Sequence, residues 1–410
     1  MVWGYNACHQ DTPVAKYKES TVHNFDYQNP TRILFGQGEI ANIGNCIPQG
    51  SKVLVLYGGG SIKANGVYQQ VADALSGYQW FEHGGISPNP KYEELMGAVD
   101  KVKAEGIDFL LAVGGGSVAD GTKFVAAAAL FEGEEPWDIL AKQAPVTRAL
   151  PLGTILTLPA TGSEANGNSV VTRGEDKLAF NSPLVYPQFS VLDPTTTYTL
   201  PARQVANGVV DAFVHVMEQY LTYPVNAPIQ DRFAESLLLT LIEEGPKALA
   251  DVGKPAETQN YDVRANIMWA ATLALNTLIG KGVPQDWATH MIGHELTATL
   301  GLDHAQTLAI VLPNLMQAQK ATKGAKMLQY AERVWGISDG DDDARIEAAI
   351  AKTRDFFERM QVKTRIRDYG HGGEVVDTLV AQLERHGMVK LGEHGDIDLA
   401  RSRQILEAAL

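Results

Sequence analysis

A chain of 410 residues exceeds the size at which a single hydrophobic core usually stops growing, so two domains are expected. Hydrophobic residues at 45% and charged residues at 20% describe ordinary globular material, while a formal net charge of -14 repels phosphate backbones and anionic headgroups; nucleic-acid and membrane-surface roles give way to small molecules. Cys8 and Cys46 are too few to staple a protein of this size, and no apolar run reaches the roughly 20 residues that span a bilayer, so a reducing cytoplasm is expected.

Residues 1–21 open with MVWGYNACHQDTPVAKYKES, which lacks the basic start and apolar core of a signal peptide and reads as a polar N-terminal extension. From 22 to 199, short apolar runs alternate with glycine turns and helix-like stretches: KVLVLYGGGS, IDFLLAVGGGS, TILTLPATGSE and FSVLDP. Uninterrupted apolar runs bounded by glycine or proline fit strands buried on both faces, and strand-then-helix alternation predicts a parallel sheet. This segment is expected to be an α/β domain.

Two of its strands end in glycine clusters. Gly58, Gly59, Gly60 and Ser61 follow VLVLY, and Gly114, Gly115, Gly116 and Ser117 follow FLLAV just ahead of a predicted helix. Glycine lets the backbone approach a ligand closely, and a helix start offers free N–H groups and a positive dipole end to a pyrophosphate. Either loop alone could be a tight turn; two on one sheet point to a dinucleotide. NAD sites place a carboxylate on the adenine ribose, and Gly58 to Ser61 supply none. A 2'-phosphate would meet N–H groups, a hydroxyl and Lys63, so NADP(H) is expected.

The joint between the halves is expected in LDPTTTYTLPARQ, between Pro194 and Pro201. From 200 to 410 apolar residues recur at three- and four-residue spacing, which predicts a helical domain. In VVDAFVHVMEQ, Asp211 and His215 share a helix face amid apolar neighbours, where an unpaired aspartate is costly. Further on, DWATHMIGHELTATLGLDHAQ carries His290 and His294 one turn apart and His304 ten residues later. Four of these five side chains could hold one divalent ion, zinc or ferrous iron. HMIGH has Met291 where the H-E-x-x-H zinc-protease signature needs its glutamate, which leaves a metal hydrolase as the alternative of a different class. In SDGDDDARIEAAI, Asp339, Asp341 and Asp343 have calcium-loop spacing, but Ala344 replaces the glycine and Ile350 the bidentate glutamate. That run is expected to cap a helix.

GGGSVADGTK, TLPATGSEAN, NGVVDAFVH and the three histidines at spacings of four and ten together resemble the iron-containing (group III) alcohol dehydrogenase family. The chain is most similar to its bacterial broad-range NADPH-dependent aldehyde reductase and butanol dehydrogenase branch, from about residue 22 to the C-terminus. The resemblance implies a dehydroquinate-synthase-like fold, a dinucleotide-binding α/β domain followed by an all-α metal-binding domain. It implies a metal held by Asp211, His215, His290 and His304, with His294 outside that set, near the nicotinamide. It implies cofactor contacts from Gly58 to Ser61, Gly114 to Ser117, Asp120, Thr157, Thr161 and Lys177. The implied reaction interconverts small aldehydes and primary alcohols with NADP(H), in a homodimer; a polyol dehydrogenase of the same fold is the nearer alternative.

Overall fold

Strands form where the apolar runs lie, and at less obvious places beside them. They are β1 (Arg32–Phe35), β2 (Lys52–Tyr57), β3 (Gln79–His83), β4 (Phe109–Gly115), β5 (Leu152–Leu158), β6 (Asn168–Arg173), β7 (Asp176–Asn181) and β8 (Phe189–Leu192). The computed structural model describes residues 21–410, so the extension expected over 1–21 lies, apart from Thr21, outside the described residues.

Among the described residues five α-helices accompany the strands: α1 (Ser61–Ala64), α2 (Val67–Ala74), α3 (Tyr92–Glu105), α4 (Gly116–Ala128) and α5 (Asp138–Ala141). Nine follow: α6 (Ala202–Tyr220), α7 (Pro228–Ala250), α8 (Tyr261–Ala274), α9 (Ala288–Leu300), α10 (His304–Ala318), α11 (Lys320–Arg333), α12 (Asp342–Arg359), α13 (Val375–Arg385) and α14 (Leu399–Ala408). Among the described residues no helix is long and apolar enough to cross a membrane.

The chain forms two compact units: residues 28–209 with 247–276, and residues 21–27 with 210–246 and 277–410. The division thus falls within α6, and α8 belongs with the α/β unit. The helical unit also takes the start of the described chain, where the His23 N–H donates to the Gly282 carbonyl at 2.9 Å.

In the α/β unit six strands pair in parallel in the order β1-β8-β5-β4-β2-β3, and β6 and β7 form a separate antiparallel pair. Both faces of the sheet are covered. Val53, Val55, Phe109, Leu111 and Val113 pack into one apolar cluster, while their chain neighbours Leu54, Leu56, Leu110 and Ala112 pack into another. Each fully buried side chain of this size contributes about 1.5–3 kcal/mol, which is why the runs are continuous rather than alternating. Topology then locates the ligand: the chain passes from β2 outward to β3 and returns to β4 on the other side of β2, so a crevice opens at the carboxyl ends of β2 and β4. Both glycine clusters sit there.

In the helical unit α9, α10, α13 and α14 share a core that includes Ile292, Leu296, Ile310, Leu315, Leu379, Leu383 and Leu406. Phe213 of α6 packs against Phe356 and Phe357 of α12, with ring centroids 5.2 and 5.5 Å apart. The acidic run begins α12: Asp341 accepts the N–H of Ala344 at 2.9 Å, and Asp342 and Asp343 occupy the first turn.

Candidate active site

Helix α6 sets Asp211 and His215 one turn apart, each only 4% exposed, and α9 brings in His290 at 6%. Burying a carboxylate among Val210, Ala212, Phe213 and Val214 demands compensation. Asp211 Oδ1 accepts no hydrogen bond from the described residues. Three imidazole nitrogens surround it instead: His215 Nδ1 at 3.5 Å, His304 Nε2 at 3.7 Å and His290 Nε2 at 3.9 Å. Those separations exceed hydrogen-bond lengths. They suit donor atoms that share a small cation, because two ligands bonded at about 2.0–2.2 Å with a tetrahedral angle between them stand roughly 3.4 Å apart.

Asp211, His215 and His290 each place one donor atom within 4.8 Å of the others. His304, which opens α10, joins through Asp211 and keeps its side chain 24% exposed. Mixed imidazole and carboxylate donors fit a borderline divalent ion such as zinc or ferrous iron. His294 lies one turn beyond His290, its ring centroid 5.3 Å from His304 and 6.3 Å from His290. The five side chains singled out from the sequence therefore converge on one place.

One member of the site escaped the sequence reading. Glu218 lies on the face of α6 that carries Asp211 and His215, and its Oε2 contacts His290 Nδ1. Its Oε1 accepts the backbone N–H groups of Thr289 at 2.6 Å and His290 at 3.2 Å. Burial drives the Glu218 pKa well up and Asp286 nearby adds to this, while the two N–H donors oppose it. The i, i+4, i+7 spacing of Asp211, His215 and Glu218 was the available signal.

The second candidate site lies in the α/β unit. Gly60 sits at φ 95°, a left-handed conformation that glycine adopts without strain, and Ser61 begins α1. A Cβ on Gly59 would meet no described atom within 4 Å, whereas one on Gly58 would press on the Ile86 carbonyl at 3.3 Å. At the other loop a Cβ on Gly114 would strike Val118, and one on Gly116 would strike Thr161. These glycines thus bring β4, the start of α4 and the Thr157 to Thr161 segment close together. Thr157, Thr161 and Ser117 are half-buried.

Asp120 keeps partial exposure, yet its carboxylate is engaged within the unit: Oδ1 accepts Ser163 Oγ at 2.5 Å and Oδ2 accepts the Val170 N–H at 3.0 Å. Burial raises its pKa against the opposing charges of Lys123 and Lys177. Lys177 is on β7, paired in register with Thr172. Lys63 is exposed and ion-paired with Glu82 at 3.2 Å, so an anion arriving there competes with that carboxylate. Glu82 also accepts Tyr68 Oη at 2.7 Å.

A family model described as iron-containing alcohol dehydrogenase matches residues 30–194, and its C-terminal counterpart matches residues 205–405. An NADPH-dependent aldehyde reductase of Escherichia coli K12, YqhD, is 61% identical over 392 residues, covering 95% of this chain and 100% of that protein. A probable NADH-dependent butanol dehydrogenase of Bacillus subtilis 168 is 40% identical over 397 residues, covering 95% and 100%. The crystal structure of the E. coli protein superposes with a TM-score of 0.93 at 60% identity, over 95% of this chain and 100% of that one. An NADH-dependent butanol dehydrogenase A from Thermotoga maritima gives a TM-score of 0.89 at 34% identity, over 95% and 99%.

Proposed function

The chain belongs to the iron-containing alcohol dehydrogenase family, and from that premise we propose that it reduces small aldehydes to primary alcohols with NADPH, reversibly. The observation that carries this reading is the Asp211 carboxylate oxygen, buried without a hydrogen bond from the described residues and faced by three imidazole nitrogens at 3.5–3.9 Å. Asp211, His215, His290 and His304 would hold the metal. Gly58 to Ser61, Gly114 to Ser117, Asp120, Thr157, Thr161 and Lys177 would hold the dinucleotide. When bound, a divalent ion supplies Lewis acidity at the carbonyl oxygen and NADPH supplies the hydride.

The side chains then have distinct tasks. Glu218 accepts a hydrogen bond from His290 Nδ1–H, which keeps the Nε2 lone pair directed at the metal position. His294, one turn along α9, or a relay of water and ribose hydroxyls, would deliver the proton that completes the alcohol hydroxyl. Residues 284–306 contain neither lysine nor arginine, which favours neutral aldehydes over phosphorylated substrates. The Gly58 to Ser61 loop offers no carboxylate, which favours NADPH over NADH, and a 2'-phosphate there would compete with Glu82 for Lys63. We assign the protein to the cytoplasm as a homodimer, the first supported by its two cysteines and the second by the family resemblance.

The test follows NADPH absorbance, with NADH in parallel, on butanal before and after chelation and after re-addition of zinc or ferrous iron. Chelator-sensitive, NADPH-selective oxidation is expected. Activity that ignores the chelator would remove the histidine cluster from the chemistry, and turnover of an ester or amide without nicotinamide would replace the reading with a hydrolase.

A further inference from the structure

Asp286 ends the segment that leads into α9. Its backbone N–H donates to the Glu218 carbonyl at 2.9 Å, and its Oδ1 accepts the N–H of Ala288, the first residue of α9, at 2.7 Å. Its Oδ2 accepts Lys323 Nζ at 2.6 Å. Lys323, on α11, also donates to Glu393 Oε2 at 2.7 Å and to the Leu221 carbonyl at 2.9 Å. All three N–H donors of this ammonium are thus used, in a side chain 3% exposed. Glu393 in turn accepts the N–H of Tyr223 at 3.1 Å.

The bonds have a direction. Leu221 and Tyr223 lie just past the end of α6, which carries Asp211 and His215; Asp286 lies just ahead of α9, which carries His290. One ammonium therefore ties the two helices at their junction. Between them Trp287 sits at φ 103°, a conformation that persists in a bulky residue only where its surroundings over-determine it. Trp287 Nε1 donates to Gln285 Oε1 at 3.0 Å, and its ring lies 5.5 Å from that of His290 and 6.3 Å from that of His215. Well-packed apolar residues often stabilise a fold as well as a buried ion cluster does, so stability alone does not account for this one.

We propose that Asp286, Lys323 and Glu393 form a positioning clamp for the metal centre, joining the end of α6 to the start of α9 and so setting His290 against Asp211 and His215. The proposal rests on the reading of those three residues as ligands. It is tested on full-length protein stripped by a chelator and titrated with zinc against a chromophoric competitor, and by the visible absorption of the cobalt-substituted protein. Asp286→Asn and Glu393→Gln are each expected to weaken zinc binding at least about tenfold and to alter the cobalt spectrum. Lys326→Met, which removes another buried ammonium from the same helix, one paired with Asp231, is expected to leave both readouts unchanged.

Unchanged affinity and spectrum in Asp286→Asn and Glu393→Gln would overturn the clamp. Equal weakening by Lys326→Met would do so too, by making the effect general loosening. If Asp286→Asn fails to fold, Glu393→Gln decides by the same readouts; if neither folds, the cluster is a folding element and the proposal fails. A parent protein that binds neither zinc nor cobalt would instead remove the metal reading itself.

Discussion

His290 can aim Nε2 toward Asp211 because its other nitrogen is committed to Glu218, whose second oxygen is pinned by two backbone N–H groups. Glu218→Gln keeps the volume and an acceptor but loses the charge, and is expected to weaken zinc about 10–100-fold in chelator competition. An unchanged constant would deny Glu218 its orienting role. Asp211→Ala should leave the purified protein without stoichiometric metal, which elemental analysis reads directly. His294→Ala should lower turnover about 100-fold or more while metal content holds; lost metal would make His294 a ligand. At this scale the chain displays which side chains can bind a cation. Which atoms meet is another matter, because Glu218 reaches His290 directly while the backbone N–H of Thr289, 71 residues away, pins its other oxygen.

At the scale of elements, the two glycine loops differ in what they tolerate. Gly116→Ala drives a Cβ into Thr161 and is expected to cost about 1–3 kcal/mol of stability by denaturant titration. Gly59 faces open space with unstrained backbone, so Gly59→Asp should fold normally yet raise the KM for NADPH at least about tenfold, ~1.4 kcal/mol, through charge repulsion. An NADPH KM unmoved by Gly59→Asp would place the 2'-phosphate elsewhere. The strands behind these loops, β2, β4, β5 and β8, were legible because burial on both faces demands continuous apolar runs. Strand β3, QWFEH, is a half-buried edge, and β6 with β7 is a partly exposed hairpin turning at Gly174, so neither left such a run in the sequence.

For the molecule as a whole, an α/β half followed by a helical half is visible in the texture of the chain. That residues 247–276 return to the α/β unit is not, because a helix does not record which body its apolar face will meet. On the proposed assignments each unit has its own ligand as a stabiliser. At a free concentration a hundred times its dissociation constant, a ligand adds about 2.7 kcal/mol. Differential scanning calorimetry should therefore show zinc and NADPH each raising a melting transition, with a chelator cancelling only the zinc effect. Insensitivity to both would contradict the two-site reading.

The proposed ligands are widely spaced along the chain: His290 follows His215 by 75 residues. At translation rates of about 5–20 residues per second, a ribosome needs roughly 4–15 s to pass from one to the other. Through that interval a nascent chain has only two of the four proposed ligands, Asp211 and His215. On the proposed assignment, metal choice would fall to the finished protein and the ions the cell then supplies, so protein made in zinc-rich and in iron-rich medium is expected to carry different metals by elemental analysis.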